Sequence, residues 1–146
     1  MRYAGFTKQE RTFITIMRVW IVLFLGLAVL FCVIPEILLN YINDIGKVFL
    51  KWQPPTRQGG DYFWLAPAVA LHVILAYSCA LAQHSPVRNG SYAKLVIMST
   101  FISAVGYASL LFLDSMQFYY LVAAVIDALV FIITWRVYSK ASLSRT

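Results

Sequence analysis

Apolar residues along the chain gather into four long runs, and the segment between the first two follows a different rhythm. The runs cover about residues 13–34, 62–83, 95–113 and 118–138. Each approaches the roughly 20 apolar residues a helix needs to cross the hydrocarbon core of a bilayer. The first run holds no acid. Its one cation, Arg18, lies little more than a turn inside, where its stem can snorkel back to the headgroups, and Trp20 sits at interfacial depth.

Between the first two runs, Leu38, Tyr41, Ile42, Ile45, Phe49 and Trp52 recur at helical spacing, with Glu36, Asn40, Asn43, Asp44, Lys47 and Lys51 on the other side. That spacing predicts an amphipathic helix over 36–52 lying in the membrane surface. The rival reading continues the first span to Leu39, but Pro35 removes a backbone donor and should kink or end a helix there. Pro54-Pro55 stops the amphipathic segment, and Gly59-Gly60-Asp61 turns the chain into the second span. There Asp61 is expected to cap the helix and Tyr62, Phe63 and Trp64 to form an aromatic belt. Pro67 falls early enough in that span to be tolerated. Asn89-Gly90 marks the next turn, and Asp114 with Gln117 three residues later reads as a capping box opening the last helix. So short a connection makes the third and fourth spans antiparallel neighbours. The predicted fold is all-α: an integral-membrane four-helix bundle in one domain, with an added amphipathic interfacial helix between its first and second spans.

Composition agrees. The chain is 61% apolar and 12% charged, against about 45–50% and 25% in soluble proteins. A net charge of +6 raises nucleic acid as a partner, but the cations sit at the edges of the apolar runs, where lipid headgroups account for them, so no nucleic acid is expected. Arg2, Lys8 and Arg11 before an apolar run resemble a secretory signal. No small-x-small cleavage site closes the run, and Phe31 before Cys32 does not suit a lipoprotein, so cleavage is not expected.

Arg2, Lys8, Arg11, Arg18, Arg88, Lys94, Arg136, Lys140 and Arg145 fall on one predicted side; Lys47, Lys51 and Arg57 fall on the other. This bias puts both termini in the cytoplasm. With the short loops it fits a bacterial cytoplasmic (inner) membrane.

Asp127 is the most informative residue, an acid in the middle of the fourth span. Insertion scales put its cost there at roughly 2.5–3.5 kcal/mol, so it should face the bundle or a partner and be protonated or hydrogen-bonded. It reads either as a proton-relay or substrate site, or as a hydrogen bond fastening helices. His72 lies at similar depth in the second span and would pair with Asp127 if those two helices touch. Ser99, Ser103 and Tyr107, on one side of the third span, could join them in an intramembrane polar cluster. His72 is also a weak candidate ligand for haem or chlorophyll. His84 follows about three turns along the same helix, too far to serve as a second haem ligand.

Cys32 and Cys79 lie toward opposite ends of the first and second spans, which excludes a disulfide between them. Ala66/Ala70, Ala76/Ala80, Ser99/Ser103 and Ala124/Ala128 have the four-residue spacing typical of close helix packing. The Asn89-Gly90-Ser91 sequon falls on the predicted cytoplasmic side, and we set it aside. The sequence contains no phosphate loop, metal-ligand spacing or nucleophile triad, and no catalytic residue is assigned.

Three functions fit this pattern. The first is an accessory or scaffolding subunit of a larger membrane complex, with other membrane subunits or self-association as partners. The second is a small oligomeric transporter or proton-linked channel using Asp127 and His72. The third is a binder of a lipid-soluble cofactor such as quinone, chlorophyll or haem.

Overall fold

The computed structural model describes residues 6–51, 65–85, 88–113 and 117–143, and among these every regular element is a helix. In chain order they are α1 (Lys8–Val33), α2 (Pro35–Leu50), α3 (Leu65–Ala82), α4 (Gly90–Leu113) and α5 (Phe118–Leu143). All but α2 are long and apolar enough to cross a membrane. The chain is thus a multi-pass helical membrane protein with a short amphipathic helix after its first span.

Local chemistry sets the boundaries. α1 opens at Lys8, before the apolar run, because Thr7 and Glu10 form a capping box: the Thr7 hydroxyl accepts from the Glu10 N–H at 3.2 Å, and the Glu10 carboxylate accepts from the Thr7 N–H at 2.8 Å. α1 does not continue to Leu39. Ile34 leaves helical geometry (φ −138°, ψ 48°) and Pro35 becomes the first residue of α2, where its missing N–H costs nothing. Lys51, in the left-handed conformation, ends α2. α4 begins at Gly90 rather than 95, and α5 runs on to Leu143 rather than 138. Trp52, the Pro54-Pro55 stop, the Gly59–Asp61 turn, the 62–64 belt and Asp114 lie outside the described residues.

The four spans run up-down-up-down around a square. α1 packs closely along α3 and α4 along α5; the α3–α4 and α1–α5 seams are thinner, and the backbones of the diagonal pairs stay apart. At the end of the bundle that carries the termini, here called proximal, small residues bring the backbones together. Ala82, Ala93 and Ala141 are fully buried with Phe13, Met17, Cys79 and Val96. Polar links cross between helices: Trp20 donates to Thr134 at 2.9 Å (α1–α5), and Arg18 donates to Gln83 beyond α3 at 3.2 Å. Residues such as Val22, Ile102 and Phe112 stay more than 60% exposed on the outside. Hydrocarbon lipid rather than water suits that surface.

α2 corrects the expected amphipathic arrangement. The sequence sets Asn43 opposite the apolar row, yet Asn43 is buried and the row divides: Leu38 and Ile42 turn into the bundle, while Tyr41, Ile45 and Phe49 stay exposed. The reason lies at the start of α5. The Asn43 carbonyl oxygen accepts from the Tyr119 N–H at 3.3 Å, and its amide donates to Gln117 at 2.8 Å. The first N–H groups of a helix have no partner within it, and α2 supplies one from across the fold. The docking is close, since a Cβ on Gly46 would lie 2.5 Å from Cγ of Phe118.

This makes the sign of a substitution site-specific. Alanine normally stabilises a helix over glycine by about 0.5–1 kcal/mol. At Gly106 a Cβ meets nothing within 4 Å, so Gly106→Ala should leave the melting temperature in detergent unchanged or slightly raised. Gly46→Ala should lower it, because overpacking costs about 1–3 kcal/mol. Equal responses at the two positions would show that α2 does not dock on Phe118.

Candidate functional site: a lined cavity in the distal half of the bundle

The distal half of the bundle, away from the termini, is hollow. A cavity of about 470 Å³ opens between α1, α3, α4 and α5, and α2 roofs it with Leu38, Leu39 and Ile42. Its walls are mostly apolar, with Phe24, Leu27 and Phe31 from α1 and Leu71 and Leu75 from α3. The polar side chains that line it are His72, Thr100, Ser103, Tyr107 and Asp127, together with Tyr119 and Tyr120. The volume falls within the roughly 300–1,000 Å³ usual for small-molecule sites, as does the ratio of many apolar walls to few convergent polar groups.

Asp127 stands nine residues into α5, about 14 Å of helix rise from its start, half-buried on the cavity wall. Its carboxylate accepts a hydrogen bond from the Ser103 hydroxyl at 2.5 Å, which ties α4 to α5. His72 occupies the diagonal helix, α3. Its Nδ1 lies 2.7 Å from the Ala68 carbonyl oxygen one turn back. A carbonyl oxygen can only accept, so Nδ1 carries the ring hydrogen. Phe24 and Phe31 of α1 flank the ring at centroid distances of 6.1 and 5.6 Å, which fixes its plane. On the opposite wall, the rings of Tyr107 and Tyr120 are inclined at 30° with centroids 6.3 Å apart.

The structure brings together most of the residues singled out from the sequence. Asp127, His72, Ser103 and Tyr107 all face one cavity, whereas Ser99 is half-buried outside it. The direct pairing of His72 with Asp127 depended on their helices touching. They are diagonal, and among the described residues each bonds elsewhere. Thr100, Tyr119 and Tyr120 were not anticipated. Thr100 was findable, because Thr100, Ser103, Tyr107 and Leu110 repeat at spacings of three and four along one side of α4, and Ser99 falls one position off that row. His84 is exposed in the turn after α3. Asn89, the sequon residue, has a packing role: its amide donates to the Leu81 carbonyl at 2.8 Å. Cys32 is exposed and Cys79 buried, both as free thiols. Among the described residues, no three His, Cys, Asp or Glu side chains gather as a metal site.

Fold and site together define a class: a small multi-pass membrane bundle with a polar-tipped cavity between its spans. No protein-family model, curated protein or solved structure matches the chain. The functional reading therefore rests on the chemistry of the cavity.

The Ser103–Asp127 link predicts a measurable coupling. A double-mutant cycle of Ser103→Ala with Asp127→Leu, read by unfolding in mixed micelles, should give an interaction energy of about 0.6–1.7 kcal/mol, the range for hydrogen bonds between membrane helices. The cycle of His72→Phe with Asp127→Leu should give less. Stronger coupling to His72 than to Ser103 would mean that the two residues pair across the cavity after all.

Proposed function

We propose that this protein binds a lipid-soluble small molecule in the distal cavity, the third of the three functions the sequence leaves open. The observation that supports it most directly is the cavity itself: apolar and aromatic walls on which a few polar groups converge from within the spans. A molecule partitioning from the bilayer would bury its body against Phe24, Leu27, Leu71 and Leu75 and present its polar head to His72, Ser103 and Asp127. Filling the space restores dispersion contacts that an empty cavity forgoes.

The transport reading requires a path on through the proximal half, where Phe13, Met17, Cys79 and Val96 are wholly buried against one another. It would need those helices to repack at each cycle. The subunit reading draws on the outward row of α2, where Tyr41, Val48 and Phe49 are 66%, 76% and 78% exposed. The headgroup layer of a bilayer satisfies that row equally well. With the termini in the cytoplasm of a bacterial cell, as the Lys/Arg bias favours, the cavity lies in the outer leaflet.

Two measurements test this reading. Protein extracted gently from native membranes should carry a small molecule that mass spectrometry of a solvent extract detects. Ala123→Phe, which fills the cavity from α5, should reduce its yield at least several-fold while the protein still melts cooperatively. An extract identical to that of Ala123→Phe would rule the reading out. For orientation, a cysteine appended to the carboxyl terminus should react with an impermeant maleimide only after the cells are opened. Reaction in intact cells would invert the assignment.

A further inference from the structure

Resting on that reading, the geometry points to the class of head group. We infer that the cavity selects a planar ring bearing a hydrogen-bond-donating hydroxyl, as in an alkyl quinol, over the corresponding ring that carries only acceptors, as in the quinone.

The inference starts from His72. Its Nδ1 hydrogen is committed to the Ala68 carbonyl of its own helix. In the neutral imidazole this leaves Nε2, on the opposite edge of the ring, as a pure acceptor. Among the described residues Nε2 takes no hydrogen bond, and His72 lines the cavity. The ring is not free to swap these roles. Phe24 and Phe31 hold its plane, and turning it over would take Nδ1–H away from Ala68. A ligand carbonyl placed against Nε2 would set two acceptors against each other, whereas a ligand hydroxyl would donate to it.

The surrounding walls favour a flat ring as the carrier of that hydroxyl. Phe24, Phe31 and His72 form one aromatic side, and Tyr107 and Tyr120 form the other. Aromatic pairs gain from offset and edge contacts beyond the area they bury. The apolar roof of Leu38, Leu39 and Ile42 and the wall of Leu71 and Leu75 suit an alkyl tail. Binding alone is inferred. No electron or proton transfer is needed for the discrimination.

The test uses the full chain in nanodiscs under anaerobic conditions with three matched probes: a decyl-substituted benzoquinol, the corresponding benzoquinone, and the dimethyl ether of the quinol. The ether keeps the ring and its substituents but cannot donate. The quinol should bind about tenfold tighter than either of the others, the affinity equivalent of roughly one hydrogen bond. His72→Phe keeps a ring between Phe24 and Phe31 and should abolish the preference. His72→Gln, whose carbonyl can accept, should recover part of it. Quinone binding as tight as quinol binding, or tighter, would overturn the inference and leave the cavity reading standing. Failure of all three probes, while the native extract still yields a molecule lost in Ala123→Phe, would also overturn the inference alone. Failure of the probes together with an empty native extract would remove both.

Discussion

Hydrocarbon offers no hydrogen bonds, so every backbone polar group carried into the bilayer must find its partner inside the protein. Burying apolar surface does little to join the spans, since lipid tails are as apolar as leucine. What remains is close packing and a few polar ties, and both are visible here. Trp20 to Thr134 joins α1 to α5, Ser103 to Asp127 joins α4 to α5, and Asn43 to Gln117 and the Tyr119 N–H joins α2 to the start of α5. Three of the four spans and the roof thus connect through α5. These ties fall at helix ends and at the seams between helices.

The division into a packed half and a hollow half follows from side-chain shape. Proximally, Ala82, Ala93 and Ala141 allow the backbones to approach until Phe13 and Met17 fill what space is left. Distally the inward positions carry His72, Tyr107, Tyr120 and Asp127. His72, Asp127, Tyr107 and Tyr120 each make a hydrogen bond or a ring contact along the wall rather than with the helix opposite. Protein interiors are ordinarily close-packed, and a space of this size, ringed by polar groups, departs from that rule.

Much of this was legible in the sequence, because the bilayer imposes strong rules on it. The four spans, the break at Pro35 and the amphipathic helix all follow from run length, proline chemistry and helical spacing. The depth of Asp127 and His72 follows from counting along their spans. What could not be read was which helix faces which. Spans that are apolar all round, such as α3, α4 and α5, carry almost no directional signal. Whether His72 and Asp127 sit on adjacent or diagonal helices is therefore decided by tertiary packing alone. The same holds for Asn43, whose polarity marks it for solvent until the Tyr119 N–H, in the first turn of α5, provides a reason to bury it. Thr7 and Glu10, by contrast, carry a capping-box signature in the sequence, but it lies ahead of the apolar run and so outside the segment that run length marks.

Asp127 is the costliest residue on the cavity wall. Placing an acid at mid-span costs roughly 2.5–3.5 kcal/mol on insertion scales. The Ser103 hydroxyl returns only about 0.6 kcal/mol, and at most about 1.7, for a hydrogen bond between membrane helices. The balance, about 1–3 kcal/mol, is a cost that leucine at the same position would not carry. If Asp127 served only to fasten α4 to α5, a small-residue contact or a second serine would do so at less expense. A carboxylate placed beside a space that a hydrogen-bonding ligand can enter has a way to recover the difference. On the proposed reading, a ligand group that donates to Asp127 would offset part of that cost.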